Sequence, residues 1–372
     1  MLPHASYYDA LASLPNPRSQ EWQHIAAGLV VLRLVDDWLD TSKHSLTAYD
    51  YNAARALIAT IPKGSPLKEI LDNLVMAVEH AGSPHSIATV VTGIFAYADQ
   101  LDHDAQFSLS EDVLENFRQR AIGLQDSALI TKACLKLALN YRLARKLRLA
   151  EKFYDEGIFY AKQVGDSVGA FKGECGRAKL TGMLGNVDAA HIAFETLVHN
   201  AKKNGDTNLV SSALHDWGHL YMSTVDDGKI ALPMFEEALS MCDGDAVYLA
   251  ADVAAARLGV GDIRRSQETN VCLAVTAKHR RIRWQAVVNL MYGEACLGNV
   301  EQFHWYVSVL DPLTTHRYFR YLYKTVAAEG FRILGDTSKA ATWHTEARHL
   351  EAGGLMNNRQ DERKEHAPST DA

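Results

Sequence analysis

LITKACLKLALNYRLARKLRLAEKFYDEGIFYAKQVGD, residues 129–166, is a helical hairpin written out in sequence. Cys134, Leu137, Ala138 and Tyr141 step by three, one and three, the spacing of one helix face. A second face carries Ala150, Tyr154 and Gly157, stepping by four and three. A small residue at 150 lets two helix backbones approach closely, and an aromatic one turn later fills the gap beside it.

The same plan recurs downstream. Gly185-Asn186-Val187-Asp188-Ala189-Ala190 leads to Phe194 and Leu197, and Asp227-Gly228-Lys229-Ile230-Ala231 leads to Phe235 and Ala238. Gly261-Asp262-Ile263-Arg264-Arg265-Ser266 leads to Asn270 and Leu273. Gly298-Asn299-Val300-Glu301-Gln302-Phe303 leads to Val307, and Gly335-Asp336-Thr337-Ser338-Lys339-Ala340 leads to His344 and Ala347. The small residue stands at 150, 190, 231, 266 and 340, with Phe303 as the exception; successive spacings are 40, 41, 35, 37 and 37 residues. A self-similar period in this range is the mark of a helical solenoid.

The set of motifs resembles the tetratricopeptide repeat (TPR) family: helix, Gly-x-x-x-x-Ala turn, helix, with an aromatic four residues after the Ala. The likeness covers residues 129–351, about six repeats, and is of the long-repeat bacterial type. Trp217-Gly218 and Tyr221 are a partial copy of the family's first-helix pattern, and the proline that usually closes a repeat is missing. Periods beyond the family's own imply extended helices, and Phe303 implies a locally wider helix pair. The expected fold is all-α, a TPR-like α-solenoid of stacked helical hairpins, for which the resemblance implies a right-handed superhelix.

Ahead of the repeats, residues 1–17 hold Pro3, Pro15 and Pro17 and are expected to be irregular. Ser19 is placed to cap a helix whose apolar positions are Ile25, Leu29, Leu32, Val35 and Leu39. Further helices are expected over Thr47–Ile61, from Pro66 to about His80, from Ser83-Pro84 to about Asp102, and after Ser108. Residues 18–125 therefore form an N-terminal helical region, degenerate hairpins or a cap to repeats spanning 126–351. Residues 352–372 are polar and expected to be disordered.

A net charge of −7 across 372 residues argues against nucleic acid or an anionic membrane as partner. No run reaches the apolar length of a membrane span, and the first residues lack the pattern of a signal peptide. The five cysteines (134, 175, 242, 272 and 296) are scattered without a Cys-x-x-Cys pair, which fits reduced thiols in a cytoplasmic protein.

Three local constellations invite chemistry, each beside a plainer reading. Asp36-Asp37-Trp38-Leu39-Asp40 matches the Asp-Asp-x-x-Asp cluster with which helical isoprenoid synthases hold Mg²⁺. Asp99, Asp102 and Asp104 do not reproduce the second cluster such enzymes need, so a solvated helix end is expected. His215 and His219 lie one helical turn apart, as in helical zinc sites, but no third ligand is evident and a pair of groove-facing histidines is expected. Lys278-His279-Arg280-Arg281-Ile282-Arg283 is expected to be a solvated turn between repeats.

The TPR resemblance implies a concave wall lined by the first helix of each pair. In that register Lys132, Lys136, Arg142, Lys172, Lys179, His215 and His219 line the early repeats, and Tyr248, Asn289, Tyr292 and Arg332 the later ones. Spaced cations and amides suit an extended peptide, as in TPR clamps for C-terminal carboxylates. The expected function is a non-enzymatic scaffold or adaptor holding a protein or peptide segment, with no cofactor and no resident metal; a homo-oligomer stays open. The alternative is a peptide-sensing regulator, since length and repeat period resemble the Rap group of TPR proteins. There Glu21-Trp22 or Asp37-Trp38 would be the places to meet a response regulator. A metal-dependent enzyme ranks third.

Overall fold

A computed structural model describes residues 3–39, 47–80, 84–104, 106–225, 227–242, 246–278, 280–314 and 317–350. Among them every regular element is a helix. The N-terminal helices are α1 (Ala5–Ser13), α2 (Gln20–Leu39), α3 (Ala48–Ile58), α4 (Pro66–Glu79), α5 (Pro84–His103) and α6 (Phe107–Gly123). Next come α7 (Ser127–Leu143), α8 (Leu147–Gln163), α9 (Ser167–Met183), α10 (Val187–Lys203) and α11 (Thr207–Leu220), the last followed by a π-helical turn at Tyr221–Val225. The chain continues through α12 (Gly228–Ser240), α13 (Val247–Gly259), α14 (Ile263–Thr276), α15 (Arg280–Cys296), α16 (Val300–Leu313), α17 (Arg317–Ile333) and α18 (Thr337–Leu350).

From α6 to α11 the helices start every 20 residues, at 107, 127, 147, 167, 187 and 207. The connecting turns explain this beat. Gln125, Arg145, Gly165, Gly185 and Gly205, also 20 apart, all take positive φ, between 56° and 100°. At four of the five, the next backbone N–H reaches back to close the finished helix: Asp126 to the Ala121 carbonyl at 3.1 Å, Asp166 to Ala161 at 2.9 Å, Asn186 to Thr181 at 3.1 Å and Asp206 to Ala201 at 3.1 Å. Three of those side chains also cap the next helix. Asp126 Oδ1 accepts from the Ala128 and Leu129 amides, Asn186 Oδ1 from Ala189 and Asp206 Oδ1 from Leu209, at 3.0–3.2 Å. One Gly-Asp or Gly-Asn step thus ends a helix and begins another. The 17-residue helices α6 to α10 are the extended helices that the long period predicts.

Contacts divide the chain into two units: the described residues up to Leu143 with Glu156–Asp166, and Ala144–Asp155 with those from Ser167 onward. In the second unit Ala150, Ala190, Ala231 and Ser266 are wholly buried, so the recurring small residue does sit at helix–helix contacts. Phe303, the exception, is wholly buried too. Its ring lies where a Cβ on Gly330 would come within 2.4 Å of it, so the room comes from the facing helix, which has lost its own side chain.

In the first unit the expected irregular start is overturned. Residues 5–13 form α1, and Tyr7 is fully buried, its hydroxyl donating to Tyr97 Oη at 3.0 Å. An apolar stripe is too short there to announce a helix; a buried histidine between two carboxylates fixes it instead. His4 Nε2 meets Asp36 Oδ2 at 3.1 Å and His4 Nδ1 meets Asp112 Oδ1 at 2.9 Å. This also corrects the reading of Asp36 as part of a solvated helix end: it is 9% exposed, tied to His4 and, at 3.8 Å, to Arg120. Asp40 and the expected disordered tail lie outside the described residues.

Candidate functional site

The polar side chains of successive first helices pair with one another. In the first unit Lys136 on α7 forms ion pairs with Asp99 and Asp102 on α5, the latter at 3.5 Å, and Asn140 donates to Asp102 Oδ1 at 2.8 Å. Burial, assisted by Asp99 and opposed by Lys136, pushes the Asp102 carboxyl up to about 6. In the second unit Lys179 on α9 pairs with Asp216 on α11 at 3.2 Å, and His215 and His219 on α11 meet Asp252 on α13. The partners stand 33 to 38 residues apart, close to one repeat.

The histidine group is the tightest of these. His215 Nε2 lies 2.7 Å and His219 Nε2 3.1 Å from the same oxygen, Asp252 Oδ2, and the two rings meet edge-on with centroids 4.7 Å apart. The (i, i+4) spacing puts both imidazoles on one face of α11. Trp217, between them in sequence, points the other way and stacks on Phe194 at 6.0 Å. Phe235 closes the floor, 5.9 Å from the His215 ring and 5.3 Å from His219. Gly218 is required there, since a Cβ at that position would approach the Phe235 ring to 2.6 Å. The three side chains remain 25–32% exposed, so the group opens to solvent.

Electrostatics lower both the acid and one base of the group. Burial alone would raise Asp252, but hydrogen bonds from both imidazoles and their charge keep it far below the usual carboxylate range. Burial, helped by Lys179 and His215, lowers His219 in spite of Asp252.

The predicted wall residues divide into three kinds. Lys132 and Lys172 are exposed. Lys136, Lys179, His215 and His219 are already paired, as above. Arg142 is 8% exposed with Nε and Nη1 lacking a hydrogen-bond partner, and Asn289 is buried and donates to Asn270 Oδ1 at 3.3 Å. Tyr292 is half-buried; burial, then the charges of Cys296 and Glu329, push its hydroxyl up to about 12. Of the later positions, Tyr248 is exposed, and the exposed Arg332 donates from Nε to Glu329 at 2.8 Å. Lys278 and Arg283 are exposed beside the turn at Ala277, whose carbonyl accepts from Arg283 Nη1 at 3.0 Å. Asp216 and Asp252 were missed as site residues, and the signal that finds them is distance in repeats: each acid follows its base by about 37 residues.

No protein-family model matches the chain, and no curated protein matches it. Solved structures do. A Rap protein complexed with competence and sporulation factor is similar with a TM-score of 0.57 at 11% identity, over 88% of this chain and 98% of that one. The Rap conjugation gene regulator of the plasmid pLS20, in complex with the Phr* peptide, is similar with a TM-score of 0.56 at 11% identity, over 93% and 99%. NprR in complex with its cognate peptide NprX gives 0.52 at 11% identity, over 93% and 91%. The fold is that of the tetratricopeptide repeat proteins. The TPR likeness extends well beyond the repeats read from sequence, because such coverage takes in most of the N-terminal helices. No described helix is long and apolar enough to cross a membrane.

Proposed function

We propose that this TPR chain is a non-enzymatic scaffold that holds an extended protein or peptide segment along its first helices. The observation that carries the reading is the one-repeat spacing of the polar pairs. Partly exposed ion pairs such as Lys179 with Asp216 contribute about 0–1 kcal/mol each. A bound segment's carboxylates and amides can therefore exchange with them at little cost, while exposed Lys172 on the same helix as Lys179 adds attraction.

A second reading, a peptide-sensing regulator, is favoured by one further observation. Two of the solved structures similar over the N-terminal helices as well as the repeats are complexes with peptides, Phr* and NprX. Thermal shift of the full chain against pools of short peptides separates the two. A stabilising peptide at micromolar concentration supports the sensor, and a folded partner recovered instead supports the adaptor. In either case Lys172→Glu abolishes capture without lowering Tm. Lys179→Glu abolishes capture and also lowers Tm, because it sets two acids face to face at Asp216. Capture undiminished in Lys172→Glu overturns the assignment of this surface.

A further inference from the structure

We infer that His215, His219 and Asp252 form a binding site for a divalent transition-metal ion, Zn²⁺ above all, that ties α11 to α13. This goes beyond peptide capture and does not depend on it. The ligand atoms of the three side chains lie within 4.8 Å of one another. Around a tetrahedral Zn²⁺ with bonds of about 2.0–2.2 Å, neighbouring ligand atoms sit about 3.3 Å apart. The two Nε2–Oδ2 separations, 2.7 and 3.1 Å, open by about 0.6 and about 0.2 Å to admit the ion.

Three features distinguish the group from an incidental contact. Both imidazoles present the same ring nitrogen to one carboxylate oxygen, so the three ligand atoms gather in one cluster. Phe235 and the bare Gly218 back the rings on one side, fixing their orientation and keeping water from that face. The π-helical turn begins two residues after His219, ending α11 in a widened coil of the kind that recurs beside functional sites. Two imidazoles with one carboxylate suit Zn²⁺ or Co²⁺, whereas Mg²⁺ and Ca²⁺ prefer an all-oxygen shell. Three protein ligands leave a fourth position on the solvent side for water or an incoming carboxylate.

The test is a Co²⁺ titration of the full chain, freed of any histidine tag and followed by visible absorption, with Zn²⁺ and Mg²⁺ as competitors. The expected result is one Co²⁺ per chain with the intense bands of low-coordinate cobalt, displaced by Zn²⁺ and unaffected by Mg²⁺. Asp252→Asn, which keeps the shape and a hydrogen-bond acceptor for the imidazoles, is expected to weaken binding by more than about 100-fold, above the usual cost of losing an outer-shell partner. His219→Gln does the same, and Zn²⁺ raises the Tm of the unaltered chain but of neither variant. Absence of binding overturns the inference. So does binding that survives both substitutions, which would place the metal on the other histidines or the cysteines.

Discussion

Gln125 and Arg145 hold a left-handed backbone, φ 56° and 62°, that Gly165, Gly185 and Gly205 reach without a side chain in the way. An L-residue there costs about 1–2 kcal/mol, of which glycine's extra freedom in the unfolded chain returns part. Arg145→Gly should therefore raise stability by about 0.5–1 kcal/mol, measured as a higher urea midpoint at unchanged slope. His4 is a second residue under tension. Burial opposes its charge and is the largest influence, yet two carboxylates outweigh it and its pKa is raised above 6.5. The sign follows. The contribution of the His4 ion pairs is full below about pH 6.5 and fades as pH rises through the raised value. The Tm gap between the unaltered chain and His4→Gln should narrow as pH rises above 6.5 through the raised value, and a gap that does not narrow would overturn the role of the imidazole's titration in stability.

The helices were legible wherever a turn carried its own chemistry. Gly-Asp and Gly-Asn steps announce a left-handed stop followed by a cap; α9 and α10 begin and end, and α11 begins, where those steps place them. At Asp206 the two tasks can be separated. Its amide closes α10 and survives mutation, whereas its carboxylate caps α11 through Leu209. Asp206→Ala should cost about 1 kcal/mol. Amide exchange should accelerate in the first turn of α11 while the end of α10 stays protected. Helix α1 was illegible for the opposite reason: its anchors, Asp36 and Asp112, are 32 and 108 residues away in the chain, so no local pattern reports them. The role of Gly218 was hidden likewise, since it depends on Phe235 seventeen residues later.

For the whole chain, fold was written in periodicity and function was not. The repeat spacing named stacked hairpins, and similarity to solved TPR structures over about nine-tenths of the chain agrees. Charge counting on the first helices found Lys136, Lys179, His215 and His219, but as loose cations awaiting a ligand. Their acidic partners sit about one repeat onward or back, 33 to 38 residues away, a distance that no pattern within a single helix reports. The uniform stride from Phe107 to Thr207 carries a consequence for ancestry. A segment whose stop signals recur on a constant count can be copied or excised in blocks of 40 residues with every downstream face keeping its orientation. An indel of a single residue inside a helix swings all later side chains of that helix by about 100°. Gain and loss of whole blocks is therefore the cheapest way for such a chain to change length, and the shorter stride after α12 marks the stretch where that arithmetic has already drifted.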